Sequence, residues 1–418
     1  MDERQERRWR RKAIRLWLRG YSDRRIQRHV PRSLGWLHKW QQRYIQDSWS
    51  GLKSQSRQRR HRSGYSVQVR RLVLRVRRRL AQRKIGRLVG ARAIQREIRR
   101  ARLLPRPQRP SRSTIQRMLR EAHLIPRRRR ARVIYHPHPT PSDQYVIQAM
   151  DWTERYLAGG MKVYAFHSLD LAIHDLYQTI GENKRRCTAE AHALNTWENL
   201  GLPHAVLIDN DAAWCGSLKT ARYFSHFMRV ALWLGIELIF TPPAEARFNG
   251  AVERVNGLWN QQFWNLHHFQ SYGQVQGTSP QFVAWYQHHY EPPSLGEQTP
   301  AEARQQVVRC RLTVQQAQSI PDDLPLTAGR IHFIRRVDAH GDIQVLHETW
   351  HIDRRLAGQY VWATIRLQEQ RLCIYHRASA HEPVRLRKTF RYPLAEPVVP
   401  LQPQFKRFGR RRSVFTMW

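Results

Sequence analysis

Acidic residues are scarce in this sequence. Its 418 residues hold 32 Asp+Glu against 73 Lys+Arg, a formal net charge of +41. Such a chain repels itself and calls for an anionic partner, with nucleic acid ahead of an anionic membrane surface. Cysteine is scarce too. Cys187, Cys215, Cys310 and Cys373 are widely scattered and form no C-x-x-C pair. That argues against a zinc site built from cysteines and against a disulfide framework, and it suits a reducing cytoplasm. No apolar run approaches the roughly 18–20 residues of a membrane span, so no membrane partner is expected. The opening Met1-Asp2-Glu3-Arg4 is charged, unlike a signal peptide. No G-x-x-x-x-G-K loop supports ATP use, and no G-x-S-x-G supports a serine hydrolase. The pairs His267-His268 and His288-His289 have no cysteine nearby and read as polar surface.

What is present points to several folded domains. A hydrophobic content of 41% with 15 Trp is enough for real cores. The charge is concentrated: residues 1–140 hold 43 Lys+Arg against 7 Asp+Glu, and the remainder is nearly balanced at 30 against 25. Arg dominates. Its planar fork suits phosphates and guanine edges, although a GC-rich genome would also favour Arg codons.

Residues 1–50 read as a helix-turn-helix DNA-binding module. Trp9, Ala13, Ile14, Trp17 and Leu18 recur at helical spacing, Gly20-Tyr21-Ser22 breaks the chain, and Ser33 can cap a third helix. A plain small helical bundle is the alternative. A basic linker, 51–65, precedes a second such module at 66–125. There Val69, Leu72, Val73, Val76 and Leu80 form an amphipathic stripe, and Ser113 can cap a helix holding Ile115, Met118 and Leu119. Base-reading candidates are Arg32, Lys39 and Arg43 in the first module and Arg112, Gln116, Arg117 and Arg120 in the second. A basic Pro-rich linker spans 126–142.

From about 143 the texture changes to three strands followed by alternating helix and strand, with one long helix expected over Ser217 to Leu234, a mixed sheet with helices on its faces. This core is expected over 143–315. Short strands within 325–378 read as a small β-barrel, and 379–418 as a basic tail. The expected class is multidomain α+β.

Three carboxylates stand out by position. Asp151 ends the first apolar strand, Asp209 ends a later apolar strand, and Glu253 lies one turn into a helix after Thr241-Pro-Pro-Ala244. If the strands are neighbours, the acids converge. Clustered carboxylates resist ionising without a cation, and two Mg²⁺ ions suit all-oxygen ligands, with Mn²⁺ a substitute. Such a pair activates an attacking oxygen and stabilises a leaving 3′-oxygen. On the same helix face Asn256 and Asn260, with Arg254 beside them, are candidate contacts to DNA; a merely polar exposed face is the rival reading.

Asp151-Trp152-Thr153, Leu207-Ile208-Asp209-Asn210 and Asn249-Gly250-Ala251-Val252-Glu253-Arg254 together resemble the D-D-E pattern of integrase-like insertion-sequence transposases, members of the retroviral integrase superfamily. The likeness covers roughly 143–305. It implies a ribonuclease-H-like core, catalytic and metal-binding roles for Asp151, Asp209 and Glu253, and DNA transposition. Asp170 lies where that family often has a second-strand Asp. Asp211 stands where the family usually has Gly, and the Asp209–Glu253 spacing is longer than in many relatives. The implied partners are double-stranded DNA, as transposon ends and target, and a second copy of the chain. No small-molecule substrate is expected, and the implied setting is a bacterial cytoplasm at the nucleoid. The alternative is an inactive or domesticated DNA-binding protein that retains the core.

Overall fold

A computed structural model describes residues 3–54, 65–83, 85–125, 135–142, 145–216 and 220–406. Most of the first linker, the Arg127–Arg130 run and the last residues of the tail lie outside them. The chain divides into two compact units, Met1–Val67 and Gln68–Trp418.

The first unit contains helices α1 (Glu3–Leu18), α2 (Asp23–His29) and α3 (Leu34–Asp47). Ala13, Ile26, Val30 and Leu37 form its buried centre, and Ile14, Trp40 and Leu52 form a second small cluster. Ser33 caps α3 by accepting from the Trp36 N–H.

The second unit opens with α4 (Val67–Ala81), α5 (Ala91–Arg100) and α6 (Arg112–Glu121). Of the expected stripe, Val69, Val73, Val76 and Leu80 are buried and Leu72 is half-buried. The residue capping α6 is Ser111 rather than Ser113. These helices are docked on the downstream core. Arg96, largely buried, donates to the His289 carbonyl, Arg92 to that of Pro292, and Glu291 takes Arg99 and Arg100 at 3.4 and 3.5 Å. Gly86, at φ +75°, lies against the Trp285 ring, and a Cβ there would collide with it. Gly86→Ala is therefore expected to destabilise the protein by about 1–3 kcal/mol. Thermal melts would show it, with faster protease cleavage between α4 and the core.

The core runs β1 (Ile147–Tyr156), β2 (Lys162–Asp170), β3 (Leu176–Gly181), α7 (Arg186–Asn199), β4 (Ala205–Ile208), α8 (Ala212–Cys215), α9 (His226–Trp233), β5 (Glu237–Phe240) and α10 (Gly250–Gln262). Then come α11 (Tyr272–Thr278), α12 (Pro280–His289), α13 (Pro300–Arg304) and α14 (Val314–Gln318). The remaining strands are β6 (Leu326–Thr327), β7 (Arg330–Arg336), β8 (Asp342–Val345), β9 (Glu348–His351), β10 (Tyr360–Arg366), β11 (Arg371–His376), β12 (Arg385–Arg391) and β13 (Val398–Val399). One nine-stranded mixed sheet has the order β12-β11-β10-β7-β5-β4-β1-β2-β3. One face packs on Trp197 and Phe227 of α7 and α9, and the other on Val252, Trp259 and Phe282 of α10 and α12.

Two expectations need correction. Of the strands expected in a separate β-barrel, β7, β10 and β11 extend the central sheet instead, joined by β12 from the expected tail, while β8 pairs with β9 alone; β7 pairs parallel with β5 through Leu238↔Ile331, Ile239↔His332 and Phe240↔Phe333. Five consecutive residues of β7 are buried, the pattern of a strand covered on both faces. Buried His332 fastens the junction. It meets Glu237 of β5 at 3.1 Å and accepts from the Trp362 indole N–H of β10 at 3.0 Å. The expected long helix over 217–234 is likewise shorter: α9 starts only after Ser225, whose hydroxyl accepts from the Met228 N–H. Among the described residues no helix is long and apolar enough to cross a membrane.

Candidate active site

β1 and β4 run parallel, paired from Ile147↔Ala205 to Ala149↔Leu207. Continued by two residues, that register sets Asp151 beside Asp209. β1 does not end at Asp151 but runs on to Tyr156, paired with β2. Asp209 directly follows β4. The Asn210 amide donates to the Thr241 carbonyl at 2.7 Å and so ties the end of β4 to the end of β5. Arg335 of β7, almost wholly buried, donates to Asn210 Oδ1 at 2.8 Å and to the Thr241 carbonyl at 2.9 Å. Glu253 sits in the first turn of α10. Asn249 pins the start of that helix to β1 by donating to the Met150 carbonyl at 3.2 Å.

Asp151, Asp209 and Glu253 thus line one cavity of about 500 Å³, with Asp211, Glu245 and Asn249 also on its wall. A larger cavity of about 640 Å³ lies beside β3 and α12, and no carboxylate lines it. The acid chemistry belongs to the smaller one.

The electrostatics are those of crowded, buried acids. Burial pushes the Asp151 carboxyl up to about 7, and the negative charges of Asp209 and Glu253 add to the effect. The Trp152 N–H and the Asn256 amide oppose it. Burial also raises Asp209, with help from Asp211, while Lys184 pulls it back. Glu253 is raised by burial. Among the described residues no three His, Cys, Asp or Glu side chains are grouped so as to hold a metal ion as they stand. The donor set nevertheless fits a hard divalent cation, because it is all oxygen and short of positive charge. The Asn249 Oδ1 on the same wall is buried without a hydrogen-bond partner among the described residues.

A pH dependence follows. A carboxyl whose folded pKa is raised from 3.8 to about 7 holds a proton that the unfolded chain has lost, so its stability contribution is lost as pH rises across that window. In chelator near pH 8, Asp151→Asn is expected to stabilise the fold by up to about 4 kcal/mol, at about 1.4 kcal/mol per pH unit. Equal melting of the variant and the parent across pH 4–8 would refute this.

Asp211, the residue standing in place of glycine, is accounted for. Its Oδ1 caps α8 by accepting from the Ala213 N–H at 2.9 Å, and its Oδ2 pairs with Lys184 at 3.0 Å. The Lys184 ammonium lies over the Trp152 ring, 4.2 Å from its centroid. Asp170 is held by Arg309 at 3.0 Å and is not on the cavity wall.

The residues expected to touch DNA fall into two groups. Lys39, Arg112, Gln116, Arg117 and Arg120 are exposed. Arg32 is ion-paired with Glu6 at 2.7 Å, and Arg43 lies over Trp40. On α10, Arg254 donates to the Tyr290 hydroxyl at 2.8 Å, and Asn260 accepts from Arg155 at 2.8 Å. Asn256 donates to Asp151 Oδ2 at 2.7 Å, so its amide is spent on an acid of the cavity. Sequence reasoning passed over His167, Gln178, Lys184 and Arg335. A polar His inside the apolar run of β2 was the available signal for His167.

Residues 234–300 match the integrase core domain family. The match runs from the end of α9 to the start of α13 and includes Glu253; Asp151 and Asp209 precede it. It bears out the resemblance to integrase-like transposases of the retroviral integrase superfamily. No curated protein matches the sequence. Solved structures with local likeness include the HTLV-2 integrase catalytic core domain in complex with magnesium, at 16% identity over 38% of this chain and 94% of that one, with a TM-score of 0.28. A chain of the simian T-cell lymphotropic virus intasome in complex with PP2A regulatory subunit B56 gamma is matched at 13% identity over 72% of this chain and 100% of that one, with a TM-score of 0.30. The BIV integrase catalytic core domain is matched at 12% identity over 38% and 93%, with a TM-score of 0.28.

Proposed function

We propose that this protein is a DNA transposase that hydrolyses a phosphodiester at a transposon end and joins the freed 3′-OH to target DNA. The observation that carries the reading is the convergence of Asp151, Asp209 and Glu253 on one cavity wall, from two neighbouring strands and a helix inside the integrase-core match.

Asp151, Asp209 and Glu253 would hold two Mg²⁺ ions, which supply activation of the attacking oxygen and charge stabilisation at the leaving 3′-oxygen. The chain's own contribution is placement. The Asn256 amide and the Trp152 N–H fix the Asp151 carboxylate, while Asn210 and Arg335 hold the turn that presents Asp209. The exposed basic faces of α3 and α6 would read terminal-repeat bases, with the Arg-rich linkers neutralising phosphates. Joining two ends requires at least a dimer on DNA.

A second reading, a DNA-binding protein that keeps the core as scaffold, is favoured by one observation: the acids are not grouped to hold a metal as they stand. Incubating the purified protein with a labelled terminal-repeat duplex and Mg²⁺ or Mn²⁺ separates the two. Cleavage and joining are expected. Binding without cleavage supports the scaffold reading, and equal binding of terminal-repeat and scrambled duplexes at physiological salt removes the recognition function.

A further inference from the structure

Four arginines stand in one row across neighbouring strands at the far end of the sheet. Arg330 of β7 is the direct partner of Arg366 of β10, Arg366 of Arg371 of β11, and Arg371 of Arg391 of β12. Direct partners in antiparallel strands project from the same face. At about 4.8 Å per strand, the row spans about 14 Å. It begins where β7 begins, whereas the acid cavity lies beyond the ends of β4 and β5, which run parallel to β7. Seven residues of β7 separate the two ends, about 20 Å.

Like charges directly opposite one another destabilise a sheet, and the Arg371–Arg391 pair has no offsetting ion pair or hydrogen bond among the described residues. Glu369 takes Arg366 at 3.1 Å, a half-exposed pair between residues three apart that is worth little. Arg366 also donates to the Tyr375 hydroxyl at 2.8 Å. Glu237 is 3.9 Å from Arg330 and is itself engaged by His332 and Tyr145. Arg371 and Arg391 are exposed, and their guanidiniums have no ion pair or hydrogen bond among the described residues.

We propose that this arginine row is a second DNA-binding surface, gripping the phosphate backbone of a duplex away from the scissile end. A row of planar forks about 14 Å long suits an extended line of phosphates, to which arginine often binds through two hydrogen bonds. An extended row also suits double-stranded DNA better than a single bound anion. The proposal rests on the reading that the chain works on DNA, and its test uses binding alone.

The full-length protein would be titrated in chelator with a fluorescent duplex of arbitrary sequence at several salt concentrations. Losing two phosphate contacts in Arg371→Gln/Arg391→Gln is expected to make the slope of log K against log salt shallower by about 1.8. Between about 50 and 200 mM salt the parent would then lose about twelvefold more affinity than the variant. The exposed pair Arg311→Gln/Arg354→Gln removes the same charge elsewhere and should leave the slope nearly unchanged. Arg391→Gln alone, on the edge strand, should shift the slope by about half as much and covers misfolding of the double variant. With no DNA, thermal midpoints should be unchanged or higher, because a repulsion has gone. An unchanged slope, an equal change in the control pair, or a loss confined to anionic vesicles would each overturn the proposal. Binding without cleavage would remove the catalytic reading and leave the row standing.

Discussion

Asp209→Asn is expected to lower cleavage and joining of a terminal-repeat duplex by about a thousandfold or more, with duplex binding retained. Metal-assisted charge stabilisation supplies several kcal/mol at the transition state, and each 1.36 kcal/mol is worth about tenfold in rate. Asp209 is central because β4 delivers it directly to the cavity, next to Asp151 in the continued β1–β4 register. The substitution removes one negative charge from a set that already resists ionising. The fold should tolerate it, and melting in chelator should be unchanged or improved. Asp151→Asn and Glu253→Gln should behave alike. An Asp209→Asn protein that still cuts within tenfold of the parent would remove Asp209 from the chemistry.

The second large effect concerns a chain of hydrogen bonds ending at Asp151. The Ser279 hydroxyl donates to Gln178 Oε1 at 2.5 Å, and the Gln178 amide donates to His167 Nε2 at 2.7 Å. His167 Nδ1–H then donates to Asn256 Oδ1 at 2.6 Å, and the Asn256 amide donates to Asp151 Oδ2 at 2.7 Å. The directions are consistent at every link. Asn256 must use its NH₂ on the carboxylate, which leaves its oxygen as acceptor and makes Nδ1 the protonated nitrogen of His167. The ring is neutral at physiological pH, because complete burial pushes it down to about 4.

His167→Phe keeps a ring in the core but strands the Asn256 oxygen and the Gln178 amide, a loss of about 1–3 kcal/mol for each buried unsatisfied group. Freed from its anchor, Asn256 would release Asp151. Activity is expected to fall by about 10–100-fold, with a similar rise in the Mg²⁺ concentration needed for half-maximal rate. Asn256→Ala should shift the Mg²⁺ requirement in the same way with a smaller change in melting temperature. A merely structural role would lower the melting temperature and leave the Mg²⁺ requirement unmoved, and that outcome would end the positioning argument.

The parts of this molecule that could be read in advance were those whose signal is local. The α4 stripe of Val69, Leu72, Val73, Val76 and Leu80 is a periodicity, and all of its members but the half-buried Leu72 are buried. Ser33 declared a helix start by its own chemistry. Asp209 and Glu253 were marked by their places at a strand end and in a first helical turn. The barrel expectation failed for the complementary reason. Short strands joined by turns look alike whether they close on themselves or add to a larger sheet. The deciding contact, His332 to Glu237, joins residues 95 apart in the chain. Asn256 was placed on the correct helix face, yet its partner was unforeseeable, because Asp151 lies 105 residues away.

Composition and sequence order alone determined that the chain is strongly basic, that its basic charge lies mainly before residue 140, and which acids are candidates for a metal site. Those properties reside in single residues and short periodicities. Only the tertiary structure decided that three acids share one wall, that β7 and β10 to β12 join the sheet, and that four arginines line up across it. Each depends on strand register, which is set by the packing of distant segments and leaves no trace in the local order of residues.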